Sequence, residues 1–390
     1  MPGSFIEILR VFFRLGLTSF GGPTAHLAFF REEIVERRGW VDERAYADII
    51  GLCQSLPGPA SSQVGFALGV ARGGIRGGLA AWLGFTLPSA LFLVIFALGL
   101  PALQAAFGAN WLHGLKVAAV AVVARAVWGM AGNLCPDRTR ATIALLAAML
   151  LLWSQVAAAQ IFVIVAGALA GWIFLPASED KSGASLELSI SRGTAIASLV
   201  VFFLLLIGLP LAAQVMNSPA LALFDSFYRA GSLVFGGGHV VLPLLQAEVV
   251  PPGWVSGEQF LAGYGMAQAV PGPLFAFSAY LGAIAPPAGW LGAAICLVGV
   301  FLPSWLLVIG ALPFWDEIRT RPGVQTALGG LNAAVVGLLL AALYRPVWTS
   351  AIGGPGDFAL ALAAFGLLSL WKCPPWLVVL LAAIAGYFMG

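Results

Sequence analysis

Charge is scarce in this sequence. Asp, Glu, Lys and Arg make up 9% of the 390 residues, while hydrophobic residues make up 60%; soluble globular chains carry about one quarter charged residues. So few charges cannot cover a water-facing surface, which excludes an ordinary soluble domain. Concentrated positive charge is also lacking: the net charge is only +2, with Lys and Arg in short segments, so nucleic acid is excluded as a partner. The cysteines Cys53, Cys135, Cys296 and Cys373 stand singly, without metal-ligand spacing. They read as packing residues, and neither a metal nor a cofactor is expected. Met1 to Glu7 lacks a basic run followed by a small-residue cleavage site, so no removable signal peptide is expected.

Long apolar runs dominate instead. A bilayer core about 30 Å thick needs roughly 20 apolar helical residues per crossing. The stretches 79–100, 113–132, 156–175, 194–213, 288–312 and 324–343 meet that length. The chain is therefore expected to be an all-α polytopic membrane protein, with the lipid bilayer as its main partner.

The sequence is also written twice. FRLGLTSFGG, from Phe13 to Gly22, realigns on YRAGSLVFGG, from Tyr228 to Gly237, at an offset of 215 residues. The offset then barely drifts. Glu33 meets Glu248, Gln54 meets Gln268, and Pro57-Gly58-Pro59 meets Pro271-Gly272-Pro273; Gly84, Pro88 and Ser89 meet Gly299, Pro303 and Ser304, and Gly114-Leu115 meets Gly330-Leu331. This defines a first repeat over 1–176, a polar linker with a connecting apolar helix over 177–215, and a second repeat over 216–390. The odd connecting helix brings the second repeat into the membrane from the opposite side. Basic residues, which collect in cytoplasmic loops, agree: Arg31, Arg37, Arg38, Arg44, Arg72 and Arg76 occupy loops of the first repeat whose counterparts, 247–258 and 282–290, hold none. Conversely the 102–112 loop holds none and 314–323 holds Arg319 and Arg321. Two inverted-topology repeats with nine full spans are predicted, with the N-terminus and the linker cytoplasmic.

Two apolar segments in each repeat are interrupted, at Phe20-Gly21-Gly22-Pro23 and Phe235-Gly236-Gly237-Gly238, and at Pro57-Gly58-Pro59 and Pro271-Gly272-Pro273. Glycine frees the backbone and proline removes a donor, so each break ends one helix and starts another, at Thr24, Ala60, His239 and Leu274. The flanking stretches, such as 42–56 and 60–71, are short for a crossing and read as four re-entrant hairpins. Irregular backbone at that depth is tolerated where it is buried in protein or lines a watery cavity. Helix N-termini there would offer free N–H groups and about half a positive charge each, which suits an anion; the alternative is that the breaks are kinks that pack helices closely.

Side chains near the breaks fit an anion. Arg14 and Arg229 precede the glycine pairs by seven residues, Ser19 and Thr24 flank the first break, and His26 and His239 follow. Intramembrane cations are candidate functional residues, although an arginine also snorkels to headgroups and a lone histidine also serves as a helix-bonding partner. Gln54 and Gln268 either donate to an oxyanion or cap their own helices. Ser61 and Ser62 offer hydroxyls that Phe275 and Ala276 replace in the second repeat. Lys116 either balances a bound dianion or pairs with a carboxylate. Glu33 and Glu248 are candidates for proton coupling.

FxRxGxxSFGG followed by an acidic and basic helix, Gly-Trp and then Gln-x-x-Pro-Gly-Pro resembles the signature of the chromate ion transporter (CHR) family in its long, two-domain form. The resemblance covers the chain from about Phe5 to Gly390. It implies efflux of chromate across a bacterial inner membrane, driven by the membrane potential or a proton gradient, with sulfate as a structural competitor. It also implies that first-repeat residues dominate, here Arg14, Gly21, Gly22, His26, Glu33 and Pro57-Gly58-Pro59. The second repeat departs at Gly238 in place of Pro23 and across the 31–38 basic cluster. Uptake or exchange of another tetrahedral oxyanion, a passive anion channel and a membrane-embedded lipid-phosphate enzyme are the competing readings. The last lacks a nucleophile, base and orienter set, so a transporter rather than an enzyme is expected, with a second copy in a homodimer among its expected partners.

Overall fold

The computed structural model describes residues 3–154, 157–176, 190–235, 237–315, 317 and 321–389; Gly236 and most of the 177–192 linker lie outside them. All secondary-structure elements among the described residues are helical. The first repeat runs through α1 (Phe5–Thr18), α2 (Gly22–Phe30), α3 (Glu43–Ser55), α4 (Ala60–Phe107), α5 (Asn110–Leu134), α6 (Arg138–Trp153) and α7 (Ala157–Phe174). Then α8 (Arg192–Met216) connects to α9 (Pro219–Leu233), α10 (Val241–Val249), α11 (Gly257–Ala269), α12 (Phe277–Ile284), α13 (Gly289–Ala311), α14 (Pro322–Ala342), α15 (Pro355–Ser369) and α16 (Pro375–Met389). Within α4 the backbone leaves helical geometry at Gly73 and Gly74, so it is two arms, the counterparts of α12 and α13.

Five helical stretches are long and apolar enough to cross a membrane, and four shorter apolar helices accompany them. On α8, Leu204, Ile207 and Val215 stand 66%, 65% and 82% exposed, a surface suited to lipid rather than water. Six helix starts away from the breaks are capped by side chains, whereas α5, α13 and α15 start without one. Ser4, Asp42, Asp137, Ser191, Ser218 and Ser256 each accept a hydrogen bond from a backbone N–H three residues on, satisfying one of the free amides of a first turn. At the breaks, α2, α10 and α12 have no such cap.

Packing groups the chain into two compact units, each drawing on both repeats. The first comprises the described residues of Met1–Val94, Glu179–Gly238 and Pro271–Arg321, the second those of Ile95–Ser178, His239–Val270 and Pro322–Gly390. In the first unit α1 meets α4 where a Cβ on Gly16 would lie 2.7 Å from the Phe85 carbonyl oxygen, and α9 meets α13 where a Cβ on Gly231 would strike the Val300 carbonyl, the equivalent residue. Trp82, Phe301, Trp305 and Phe66 fill the space between the long helices. In the second unit helices are exchanged between repeats. Gly114 of α5 abuts Ala382 and Gly386 of α16, while Gly330 of α14 abuts Gly167 and Gly171 of α7. These are equivalent residues in crosswise pairs, and small residues let such backbones close up where burial from lipid gives no net drive. Reciprocal contacts of this kind are the mark of a two-fold relation between like elements.

Candidate functional site

The first unit brings breaks from both repeats together. The Gly58 amide donates to the Val234 carbonyl at 2.6 Å, and the Gly272 amide donates to the Ser19 carbonyl at 3.0 Å. Gly58 and Gly272 are equivalent, as are Ser19 and Val234, so the two bonds are one contact made twice in opposite senses. Pro23 and its counterpart Gly238 adjoin each other, the proline 3.6 Å from a Cβ placed on the glycine. Gly58 and Gly272 adopt φ of 131° and 97°, a region closed to most L side chains. A Cβ on Gly58 would strike Ser304 Oγ and lie 2.6 Å from Gln63 Nε2, and one on Gly272 would lie 3.0 Å from Ser89 Oγ.

Around these crossings the first repeat supplies buried polar side chains. Ser19 is 0% exposed, His26 1%, Ser62 6% and Thr86 1%. Ser19 Oγ, His26 Nε2, Ser62 Oγ and Thr86 Oγ1 have no hydrogen-bond partner among the described residues, and neither does Ser304 Oγ from the second repeat. A buried polar atom left without a partner costs about 1–3 kcal/mol, so these four hydroxyls and one imidazole nitrogen are expensive as packing and suited to meet a ligand. His26 Nδ1 lies 3.2 Å from Ser61 Oγ, and the Ser19 backbone is its other polar neighbour. If Ser61 donates to Nδ1, the imidazole proton sits on Nε2 and points away from Ser61. The ring is held edge-on to Phe85 at 5.1 Å, and Gln63 Nε2 donates to the Pro57 carbonyl at 2.7 Å, bracing that break.

The helix N-termini differ between repeats. Gly22 and Ala60 open α-helices, but in the second repeat tight three-residue 3-10 turns, Gly238–Val240 and Leu274–Ala276, precede α10 and α12. Equivalent α N-termini at His239 and Leu274 are therefore not formed. Those turns satisfy part of their free backbone groups with i to i+3 bonds such as Phe277 N–H to Leu274 O.

Of the residues singled out by sequence, Ser19, His26, Pro57, Gly58, Ser61, Ser62 and Gly272 meet here, with Gly21, Gly22 and Pro59 in the adjoining breaks and Gly238 beside Pro23. Arg14, Thr24 and Gln54 are exposed. Arg229 donates from Nε to Asp225 at 3.1 Å. Lys116, His239 and Gln268 belong to the second unit; Lys116 pairs with Glu258 at 3.2 Å, His239 Nδ1 lies 2.8 Å from the Tyr264 hydroxyl, and Gln268 Nε2 is buried without a partner. Glu33 is 8% exposed, with one oxygen receiving Arg38 Nε at 2.8 Å and the other Arg37 at 3.4 Å. Glu248 has polar or electrostatic partners of its own, and Gly237 takes φ of 142°. Gln63, Thr86, Ser89 and Ser304 carry no sequence motif. The available signal was a serine held after an intrahelical proline in both repeats, Pro88-Ser89 and Pro303-Ser304.

Comparison with known proteins agrees with this duplicated architecture. The chain is 29% identical to the chromate transport protein of Pseudomonas aeruginosa, over 100% of this chain and 93% of the relative. It is 30% identical to a probable chromate transport protein of Synechococcus elongatus over 98% and 95%, and 25% identical to the chromate transport protein of Cupriavidus metallidurans over 97% and 92%. No solved structure matches the chain. The chromate transporter family model matches twice, over residues 6–172 and 221–387, one match per repeat, and the chain therefore belongs to the chromate transporter family.

Proposed function

We propose that the protein exports chromate from the cytoplasm across a bacterial inner membrane, by alternating access between two inverted repeats. The oxyanion is held at the crossed breaks of the first unit. The observation that carries this reading is that one compact unit holds both the reciprocal Gly58–Val234 and Gly272–Ser19 bonds and the buried, unpartnered Ser19, His26, Ser62, Thr86 and Ser304 atoms. A tetrahedral dianion needs several donors arranged around it. Hydroxyls, an imidazole N–H and the α2 and α4 N-termini supply them without a fixed countercharge, and each hydrogen bond to a charged group is worth about 1.5–3 kcal/mol. Neutral donors also favour release, because a buried ion pair would have to be broken in every cycle. Equivalent hairpins with different partners support alternating access. α11 packs on α5, where a Cβ on Gly265 would lie 2.6 Å from the Leu115 carbonyl oxygen, whereas the counterpart hairpin α2–α3 groups with the first unit.

Sulfate shares the charge and shape of chromate and is the expected competitor. Labelled chromate should accumulate in everted vesicles, be displaced by sulfate, and stop accumulating when the driving gradient is collapsed. Accumulation only in right-side-out vesicles would reverse the direction, and a flux that persists without any gradient and fails to saturate would favour a channel.

A further inference from the structure

The second unit contains a polar cavity of about 800 Å³ that the chromate site does not use. His113 and Lys116, one turn apart on α5 and so on one face, both line it. Each is met by a carboxylate from a different helix. His113 Nε2 lies 2.7 Å from Asp357 Oδ1 of α15, and Lys116 Nζ lies 3.2 Å from Glu258 Oε1 of α11. The Asp357 carboxylate is fixed, because its other oxygen accepts the Gly353 amide at 2.8 Å. The chain has three histidines, and His26 and His239 have a serine and a tyrosine hydroxyl, respectively, at Nδ1. Only His113 joins a carboxylate partner to an accessible side chain, 35% exposed.

We propose that His113, oriented by Asp357, is the site at which the transporter takes up and releases a proton during its cycle. This rests on the transport reading above. The carboxylate accepts the Nε2 proton, which leaves Nδ1 as the exchanging atom: it gains a proton from cavity water to give an imidazolium paired with Asp357, and returns it to water in the other half of the cycle. Histidine is the side chain whose charge ordinarily changes between about pH 5 and 8. With His113 neutral the four groups sum to one negative charge, and with it protonated they sum to zero. The pairs join α5 to α11 and α15, so this change of charge acts on the contacts between those helices. Among the described residues, the remaining elements packed against α5 bring no other ionisable group to the cavity lining. α14 carries none, α16 contributes Gly386 and Met389, and Arg345, in the segment that follows α14, lines a different cavity.

The test uses the full chain in liposomes, with a trapped pH dye and labelled chromate, reading two processes: chromate-for-chromate exchange, and chromate movement driven by a pH gradient. Wild type should perform both and move protons with chromate. His113→Gln should keep exchange while losing gradient-driven movement, the dye signal and the dependence on pH across the histidine range, and Asp357→Asn should keep exchange with weakened gradient-driven movement and an altered pH profile. Asp357→Asn guards against a folding defect in the histidine variant, since asparagine still accepts the Nε2 proton. Wild-type exchange without proton movement, or an unchanged pH profile in both exchange-competent variants, would overturn the proton site and leave the transport reading standing. Absence of chromate exchange by wild type would overturn both.

Discussion

At equivalent and equally buried positions the first repeat carries Ser19, His26, Ser61, Ser62 and Thr86, while the second carries Val234, Val241, Phe275, Ala276 and Phe301. The backbone bonds at the crossing are nevertheless the same in both directions. Duplication has thus preserved the broken-helix frame, which both repeats must supply for either crossing to form, and has left side-chain chemistry concentrated in one repeat. The hairpins diverge in the same way. Both second-repeat breaks, at Gly238–His239 and Val270–Pro271, coincide with a boundary between units, whereas the first-repeat breaks lie within one unit.

The frame is the part with the largest expected effect. Gly58→Val and Gly272→Val should each abolish chromate transport, although only the first is in the polar repeat. The strained φ costs about 1–3 kcal/mol and overpacking costs a similar amount, so both purified variants should unfold at lower temperature while still inserting. Full transport by Gly272→Val alone would mean that the second repeat is a scaffold whose break is dispensable.

Next come exchanges that copy one repeat into the other. Ser62→Ala reproduces Ala276 and Ser19→Val reproduces Val234; each should lower chromate affinity about tenfold, or ~1.4 kcal/mol, measured by calorimetry on purified protein. Thermal stability should hold or rise, because each change removes a buried hydroxyl that has no partner. The reverse exchange, Ala276→Ser, should leave affinity unchanged and lower stability by about 1–2 kcal/mol. If the forward and reverse exchanges weaken binding equally, the asymmetry between repeats carries no function.

Much of the frame was legible in the sequence. The stretches 113–132, 194–213, 288–312 and 324–343 correspond to α5, α8, α13 and α14, and the breaks fall at the expected glycines and prolines, because apolar length and the backbone limits of Gly and Pro are local properties. The partners of the site were less legible. Ser304 is a single hydroxyl in an otherwise apolar helix, and what distinguishes it is a close approach to Gly58 across hundreds of residues, which no local pattern encodes. Arginine position was legible only as a repeated letter. Arg14 and Arg229 align, yet their surroundings differ.

That difference supplies the smallest effect. One turn before Arg229 stands Asp225, 5% exposed, which receives the guanidinium at 3.1 Å; one turn before Arg14 stands Arg10, and both of these arginines are exposed. In the second repeat the charge is neutralised inside the unit, and removing it strands a buried carboxylate. Loss of a buried pair costs about 3–5 kcal/mol when one partner is left uncompensated; Arg229 is one-third exposed, and solvent screening reduces this to about 1–2 kcal/mol. Arg229→Gln should therefore lower the unfolding temperature, and Asp225→Asn combined with it should restore most of the loss, the signature of a coupled pair in a double-mutant cycle. Arg14→Gln relieves a like-charge neighbour one turn away, so its stability should stay within about 0.5 kcal/mol of wild type. Chromate affinity should barely change in either variant, since the Arg14 side chain is exposed and Arg229 is engaged by Asp225 and Ser226 of its own helix. A strong loss of affinity in a stable Arg14→Gln protein would place the ion at the surface of α1 instead of the crossed breaks.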